Sequence, residues 1–443
     1  NNPILTGGNI TFNSTLDGNS NLTVNSGTGN INFSGAIGNS NPLNNLIANS
    51  TGNTVLNAVI ANSLTTDAGG KTQLNANVNT TGNQTYGDAV TIANNPILTG
   101  KGINFNSTLD GNSNLTVDAG TGNVGFNGAI GSISRLGNLT VNNASAIDSG
   151  TVAATSINFT ASNTIATGNL DTSSTAGNAG TISLSGNSGI AAGNLNASSS
   201  SGNGGEVTLT SAIGSTVAGN INTSGSSGGA VDASANGAIA IGQINSSGTS
   251  NSGGSVTLNT PDHIRVVSIN AQGGTAGSGG NIDATAGKLF RSTGTFADRN
   301  GLDISISTNN GGAITIKHGG GSVTPFTIGD ATTNGTAGAI VSSTNNAIVP
   351  DVSVPVPVGT YTQGNINIVT AAPTPAPMPV PSPPPAIDPQ PQPGVNPQPP
   401  TNYPQPQPGE NPPPPTTSLQ PQPGENPQPC SSGEGSNLCN VNP

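Results

Sequence analysis

The sequence predicts an all-β fold: a right-handed parallel β-helix followed by a disordered, proline-rich tail. Two observations lead to this prediction, an unusual composition and a set of internal repeats. Only 6% of the 443 residues are charged and 2% are aromatic, while glycine contributes 64 residues. Ordinary globular domains carry about 25% charged residues, and disordered chains are usually highly charged. Many short strands joined by glycine turns around a thin aliphatic core fit this composition better than one large globular core.

A long repeat of 93 residues opens the chain. Residues 1–46 align without a gap to residues 94–139, so that Phe12 corresponds to Phe105. Ile10 and Phe12 flank a threonine, and this period-two alternation predicts a strand with one apolar face. Clusters of glycine and asparagine separate such segments and predict turns. The same alternation recurs at Leu22–Val24 and Ile31–Phe33.

A shorter repeat of about 25 residues takes over near residue 165 and has two elements. The first is Gly-[Asn/Gln]-[Leu/Ile]-[Asn/Asp], and the second is Gly-Gly-x-[Val/Ile]-x-[Leu/Ala]. Self-similarity at this period indicates a solenoid, so each unit is predicted to be one coil. About 340 residues at about 23 per coil give about 15 coils and a rod about 70 Å long. Parallel crossovers are almost always right-handed, which sets the expected hand. The anchors of the first element are Leu170, Leu195, Ile221, Ile244 and Ile269.

Stacking explains the shortage of charge. In a stack each residue is expected to lie above its repeat equivalent, where like charges repel and asparagines form amide ladders.

The repeats and the prolines divide the chain into five regions. They are a β-helix of 93-residue repeats (1–164), a β-helix of about 25-residue coils (165–284), irregular end coils or a cap (285–369), a proline-rich stalk (370–429) and a cysteine-flanked C-terminal loop (430–443).

The tail holds most of the proline. Of 34 prolines, 29 lie at or beyond Pro350. Such a run is excluded from helices and sheet interiors and favours an extended polyproline-II spacer, with a ligand for aromatic-grooved modules as the alternative. Cys430 and Cys439 are candidates for a local disulfide loop, or for a terminal anchor or recognition element used in export or retention. Two cysteines without a nearby histidine do not favour a metal site.

No constellation of residues predicts an enzyme, a cofactor or a metal site. His263 and His318 have no carboxylate or nucleophile at a suggestive spacing. Asp17 and Asp110 occupy the same repeat position, which predicts a turn residue, whereas glycan-cleaving β-helices need paired carboxylates. Residues 225–229 match the nucleophile-elbow pattern but lack a strand before and a helix after.

Charge and hydropathy limit the partners. The formal net charge is -11 and the bases are scattered, so nucleic-acid binding is not expected, nor is attraction to anionic lipid. No segment approaches the roughly 20 apolar residues of a transmembrane helix. The chain starts inside a repeat, without Met or a visible signal peptide, so we expect a mature product or a fragment of a longer chain.

The coil motif Gly-Asn-[Leu/Ile]-Asn … Gly-Gly-x-Val-x-Leu resembles that of filamentous-haemagglutinin-like exoproteins of the two-partner secretion class, in particular large cyanobacterial members. The segments Pro325–Asp330, Gly335–Ile340 and Tyr361–Ile366 resemble them too, and the likeness covers about residues 1–369. The resemblance implies a right-handed parallel β-helix, export through an outer-membrane partner and a role in adhesion or aggregation. The family's N-terminal secretion domain is absent from this sequence. In some similar adhesins a C-terminal cysteine pair helps to hold the protein at the surface.

Together these features predict a secreted or cell-surface adhesive protein of a Gram-negative-type bacterium. Its expected partners are cell-surface or matrix glycans, further copies of itself, and an outer-membrane secretion partner. One alternative is a self-assembling extracellular fibre or sheath subunit, because the end coils of a β-helix carry unpaired edges. A second alternative is a carbohydrate-active β-helix enzyme.

Overall fold

The structure, a computed structural model, describes residues 1–297, 302–350 and 354–371. Within these residues the chain is all-β, with short strands and no helix. Predictions about residues 372–443, including the proline-rich stalk, Cys430 and Cys439, lie outside the described residues. The first region holds β1 (Ile4–Thr6), β2 (Ile10–Phe12), β3 (Leu22–Gly27), β4 (Ile31–Phe33), β5 (Leu43–Ser50), β6 (Asn53–Leu56), β7 (Val59–Thr66), β8 (Lys71–Leu74), β9 (Val78–Thr80), β10 (Asn83–Tyr86), β11 (Ala89–Ile92), β12 (Ile97–Thr99), β13 (Gly102–Phe105), β14 (Leu109–Asp110), β15 (Leu115–Asp118), β16 (Val124–Phe126), β17 (Leu136–Asn143), β18 (Ile147–Ser149), β19 (Val152–Ala161) and β20 (Thr164–Thr167).

The remaining strands are equally short. They are β21 (Leu170–Asp171), β22 (Ile182–Gly186), β23 (Gly189–Ala192), β24 (Leu195–Asn196), β25 (Val207–Ser211), β26 (Thr216–Ala218), β27 (Ile221–Asn222), β28 (Val231–Ala235), β29 (Ile239–Asn245), β30 (Val256–Thr260), β31 (Ile264–Asn270), β32 (Ile282–Ala286), β33 (Phe290–Ser292), β34 (Phe296–Ala297), β35 (Asp303–Ser307), β36 (Ile314–His318), β37 (Thr327–Ile328), β38 (Gly335–Thr336), β39 (Ala339–Ser343), β40 (Asn346–Ile348), β41 (Val354–Pro355), β42 (Thr360–Gln363) and β43 (Ile366–Thr370).

Most strands pair in parallel with the strand one coil further along the chain. Ile182 of β22 lies opposite Val207 of β25, and Val207 lies opposite Val231 of β28, so a coil takes about 25 residues here. Three such ladders of paired residues follow the stack, and we name them A, B and C. Ladder A starts at Leu5, ladder B at Ile10 and ladder C at Leu16.

Each ladder has fifteen members, in agreement with the predicted number of coils. At about 4.8 Å per strand the described stack is about 70 Å long. The members of ladder C are Leu16, Ile37, Val59, Val78, Leu98, Val117, Val141, Phe159, Leu184, Leu209, Ala233, Leu258, Ala284, Ile316 and Ile368.

The short repeat stacks as predicted. Its anchors follow one another in ladder B, each opposite the next, and all are buried. The predicted alternation is also confirmed, since Ile31 and Phe33 are buried and the intervening Asn32 is not. Period-two alternation therefore identified the strands, because in a thin stack every strand has one face inside and one outside.

The expectation that repeat equivalents lie above one another is wrong for the 93-residue repeat, which spans several coils. Leu98 corresponds to Leu5, which is in ladder A, yet Leu98 lies in ladder C opposite Val78. Phe105 corresponds to Phe12, yet it lies in ladder A opposite Tyr86. Five full coils would bring the chain back to the same ladder. Ninety-three residues end one ladder short of that, so each strand of the second copy lies in a different ladder from its equivalent. The same sequence fits two faces because each face offers the same inward apolar row and outward polar row.

The core is a column of stacked side chains. The ring centroids of Tyr86 and Phe105 are 4.9 Å apart, and those of Phe105 and Phe126 are 5.3 Å apart. Phe12 and Phe33 form a separate pair at 4.8 Å. Aromatic rings therefore join the expected aliphatic residues, and the rings of successive coils stack nearly parallel, with interplanar angles of 5° to 16°.

Asparagine side chains link coils, as predicted. The side-chain oxygen of Asn169 accepts the backbone N–H of Asn194, at 2.9 Å. Asn194 accepts from Asn220, and Asn220 from Gln243, both at 2.8 Å. Amide-to-amide bonds also occur, as between Asn49 and Asn25. These bonds satisfy backbone donors at the turns, where the strand ladder leaves them without partners.

One polar pair interrupts the core and leads to a first prediction. The Tyr86 hydroxyl donates to Gln84 Oε1 at 2.8 Å, and both residues are fully buried. Burial raises the pKa of Tyr86, so the hydroxyl remains a donor. Tyr86→Phe leaves Oε1 without a donor and is expected to lower the free energy of unfolding by about 1–3 kcal/mol. Adding Gln84→Ile installs the residue types of the next coil, Ile103 and Phe105, and removes the unpaired Oε1. It also removes the Nε2 donor to the Thr99 carbonyl, so it is expected to recover only part of the loss. Urea denaturation of both variants checks this, and a double variant less stable than the single one would contradict it.

The last coils differ from the rest. After residue 290 four pairs of strands are antiparallel: β34 with β35, β37 with β41, β39 with β40, and β42 with β43. Hairpins there turn the chain back on itself, whereas all pairings of earlier strands are parallel. Parallel pairing also continues here, as between β36 and β43, so the last part of the described stack combines coils with hairpins.

Candidate interaction surface

The outward side of ladder C between residues 158 and 369 is a regular surface of eight paired strands. Alternate residues of its eight strands point inward and are buried, and the residues between them form two outward rows. We name these rows together the polar face. The first row is Asn158, Ser183, Thr208, Asp232, Thr257, Asp283, Thr315 and Asn367, and the second is Thr160, Ser185, Thr210, Ser234, Asn259, Thr285, Lys317 and Val369.

The Gly-Gly-x-[Val/Ile]-x-[Leu/Ala] motif forms five of the eight strands of this face. Its Val and Leu positions are the inward residues, so the second x, which lies between them, supplies the first row. The second glycine is required by close packing of successive turns: a Cβ on Gly205 would lie 1.9 Å from the carbonyl oxygen of Gly180, and one on Gly229 would lie 2.1 Å from that of Gly205. Sequence reasoning identified the motif but did not single out its outward residues, although the second x position could have indicated them.

The spacing of the face is that of a regular grid. Neighbouring strands are about 4.8 Å apart, so eight strands extend for about 34 Å, and residues two apart on a strand are separated by about 7 Å. Most side chains on the grid are hydroxyls or amides, which donate and accept hydrogen bonds. The face can therefore present many similar polar groups to an extended partner.

Acidic groups lie within the grid and at its margin. Thr208 Oγ1 donates to Glu206 Oε1 at 3.2 Å. Burial, together with the negative charge of Glu206, raises the pKa of Asp232. Asp283 lies two coils beyond Asp232 in the same row. The middle of the face is thus weakly acidic, which disfavours polyanions as partners.

The residues considered from sequence lie apart from one another. His263 is exposed and its Nε2 lies 3.6 Å from the carboxylate of Asp262, whereas His318 is fully buried in the end coils. The Asp17 carboxylate accepts the backbone N–H groups of the turn one coil later, and Asp110 does the same in the second repeat unit. The turn role predicted for this repeat position is confirmed.

Residues 225–229 lie in the turn between β27 and β28, so a strand and not a helix follows them. Across the described ranges, no three His, Cys, Asp or Glu side chains come together as a metal site requires. The part of the chain that the structure describes also contains no helix of the length and hydropathy needed to span a membrane.

No protein-family model matches the chain, and neither a curated protein nor a solved structure shows significant similarity to it. The resemblance to filamentous-haemagglutinin-like exoproteins therefore rests on the coil motif and the three short segments of the end coils.

Proposed function

We propose that the chain is the rod of a secreted or cell-surface adhesive protein, a right-handed parallel β-helix that attaches or aggregates cells. The observation that carries this proposal is the polar face, on which hydroxyl and amide groups repeat coil after coil for about 34 Å. A repetitive partner such as a surface or matrix glycan could engage many positions of such a grid at once.

The strength of binding by this face depends on how many contacts form at once. Each exposed hydroxyl or amide contributes little, because it exchanges a hydrogen bond with water for one with the partner. Contacts on one polymer are linked, so together they bind more tightly than each does alone. A long polymer is therefore bound with higher affinity than a single sugar unit. The exposed positions carry no aromatic ring, which fits weak, distributed recognition better than a single tight sugar site.

The same proposal includes the origin and the location of the protein. We assign it to the filamentous-haemagglutinin-like exoproteins of two-partner secretion, exported through an outer-membrane partner of a Gram-negative-type bacterium. The spacer role expected for the proline-rich stalk, and the disulfide or anchor role expected for Cys430 and Cys439, belong to this proposal as expectations from the sequence. The motifs and the composition support this assignment.

Substitutions on the polar face test the proposal. Thr210→Ala, Asp232→Ala and Asn259→Ala, combined in the full chain, remove three outward groups from the middle of the grid. We expect binding to immobilised bacterial surface and matrix polysaccharides to fall by about tenfold or more, with the circular dichroism spectrum unchanged.

A matched control carries three alanine substitutions of exposed polar residues elsewhere on the stack, at Gln73, Asn79 and Thr91. This control is expected to bind like the native chain. Equal binding by both triple variants, or no polysaccharide binding by the native chain, would reject the proposed role of the face.

A fibre or sheath subunit is the second candidate, because the edge strands of stacked parallel coils can pair with those of another molecule. The antiparallel hairpins of the last coils oppose head-to-tail growth, because they replace the parallel coil that such growth would extend. Electron microscopy over a concentration series separates the two: rods about 70 Å long support the adhesive rod, and filaments that lengthen with concentration support the fibre.

A β-helix carbohydrate-active enzyme is a third hypothesis, which a glycan-cleavage screen would test.

A further inference from the structure

The outward side of ladder A brings two arginines together. Arg265 of β31 lies directly opposite Arg291 of β33, one coil later, and each lies between two buried residues of its strand. No other strand pairing among the described residues places two like charges opposite each other. Partner residues in adjacent strands are about 4.8 Å apart, and like charges at that position repel. The pair is therefore an exception to the avoidance of charge in the rest of the stack.

Neither guanidinium group has an ion-pair partner within the described ranges. Arg265 is exposed, and its side chain makes no hydrogen bond there. Arg291 is half-buried, and its Nε donates to the carbonyl oxygen of Ala331 at 2.7 Å. This bond holds the side chain of Arg291 in place and leaves its two terminal nitrogens without an acceptor in the described part of the chain. Both arginines can therefore donate to an added anion.

Two acidic residues of the same region are engaged by other groups. The carboxylate of Asp262 lies 3.0 Å from Nζ of Lys288. The carboxylate of Asp330 accepts the backbone N–H of Thr332 at 2.8 Å, and this bond, more than the charge of Arg291, lowers the pKa of Asp330. The positive charge of the arginine pair is thus only partly offset by the described residues.

The same outward row is open on both sides of the arginines. Gly335 follows Arg291 and has no side chain, and Ala240 precedes Arg265. Before Ala240 the row holds Val217, Ala191, Ala166 and Asp148. An open cleft of about 410 Å³ lies along this earlier part, where Val217 is 49% exposed. We name the six positions from Ala166 to Arg291 the amphipathic row, and it is about 24 Å long.

We propose that the amphipathic row binds an acidic polysaccharide, with a sulfate or carboxylate group held between Arg265 and Arg291 and sugar rings lying along Ala240 and Val217. Guanidinium groups form paired N–H to oxygen bonds with such oxyanions. The short apolar side chains leave room for the C–H faces of the sugar rings, whose contact removes apolar surface from water. The bound anion offsets the repulsion within the arginine pair. Asp148 repels anions at the far end of the row, so the charged group is expected at the arginine end.

Other anionic partners suit the row less well. Nucleic acids need a longer run of basic groups than two arginines. An acidic peptide could add to a sheet only at an unpaired edge, and the strands that hold Ala240 and Arg265 are paired with each other and with the next coil. The row lies on ladder A, whereas the polar face lies on ladder C, so neither site depends on the other.

Dextran sulfate and dextran are matched probes, because they share one sugar backbone and differ in charge. We expect the full chain to bind dextran sulfate about tenfold more tightly than dextran at low ionic strength, with salt weakening the difference. Arg265→Gln is expected to lower the affinity for dextran sulfate by about fivefold. Arg265→Lys keeps the charge but loses the paired donors, so an intermediate affinity is expected. The urea midpoint of Arg265→Gln should be no lower than that of the native chain, because the substitution removes a like-charge contact.

Lys101→Gln is the matched control, since it removes the same charge from an exposed position in a distant coil, and it is expected to bind like the native chain. Equal losses for Lys101→Gln and Arg265→Gln, or equal native affinity for dextran sulfate and dextran, would overturn the proposal. Tighter binding of poly-glutamate or of single-stranded DNA would also overturn it and make a protein or a nucleic acid the partner. The triple alanine variant of the polar face retains both arginines and should still bind dextran sulfate, so a failure of this site and a failure of the proposed function give different results.

Discussion

Replacing Phe105 by alanine is expected to lower the free energy of unfolding by about 3–5 kcal/mol. The ring is fully buried, and it lies between those of Tyr86 and Phe126, with centroids at 4.9 and 5.3 Å. Backbone pairing on both sides holds β13 in register with β10 and β16, so neighbouring coils cannot collapse into the space. The cavity therefore persists, and its cost adds to the lost burial of the ring.

The repeat provides a matched control in Phe12→Ala. Phe12 has the same sequence context, but its ring is half-buried and stacks on Phe33 alone. We expect a loss of about 1–2 kcal/mol. Urea denaturation gives both values, and hydrogen exchange in β13 and β2 locates the loss. Equal costs at the two positions would contradict the expectation that burial on both sides makes Phe105 the more stabilising ring.

The contrast between these two variants follows from the architecture. In a stack, a coil is stabilised by its two neighbours and hardly at all by distant coils. An inner coil loses two interfaces when its core residue is removed, while an end coil loses one. Stability is thus expected to be lowest at the ends, where local opening costs least.

The strands and the coil count could be predicted because the signals are local. Alternation at Ile31 and Phe33 marks one inward face, and the spacing of Leu170 and Leu195 is the length of one coil. The offset of the long repeat could not be predicted in this way. It depends on how many residues each of several coils uses, for example 24 from Val24 to Ala48 but 18 from Ala48 to Thr66.

The candidate surface was only implicit in the sequence. The motif fixed which residues face inward, but whether the outward residues form one continuous grid depends on register over eight strands. The hydrogen bond between Gln84 and Tyr86 inside the core could not be predicted either. A single sequence does not distinguish such a buried pair from two exposed polar residues, because the same period-two alternation fits both cases.

The end coils are expected to loosen in acid because of His318. Its Nδ1 lies 3.2 Å from the N–H of Gly320 and 3.2 Å from Nδ2 of Asn334, so it accepts from both. Nε2 lies 3.4 Å from the hydroxyl of Thr370, which fits a neutral ring protonated at Nε2. Burial lowers the pKa of His318 to about 4. A proton added at Nδ1 would face two donors in a site that excludes water.

The sign of the pH effect follows from this shift. The unfolded chain takes up the proton near pH 6.5 and the folded chain only near pH 4. The stability from keeping His318 neutral is present in full above about pH 6.5 and is lost as the pH falls towards 4, by about 3 kcal/mol in total. Asp88 and Asp232 act in the opposite direction, because burial raises the pKa of both and favours their protonated, folded forms in acid.

Hydrogen exchange in β36 and β43, compared at pH 7 and 4.5, isolates the His318 contribution from those distant carboxylates. His318→Gln retains a side-chain acceptor but does not titrate, so its exchange-derived stability is expected to be nearly the same at both pH values. His263→Gln is the matched control, since His263 is exposed and its loss should leave the native pH dependence intact. If His318→Gln kept that dependence, another group would be responsible. Because β43 holds the last member of ladder C and pairs with β36, such opening should begin at this end and leave the earlier coils paired.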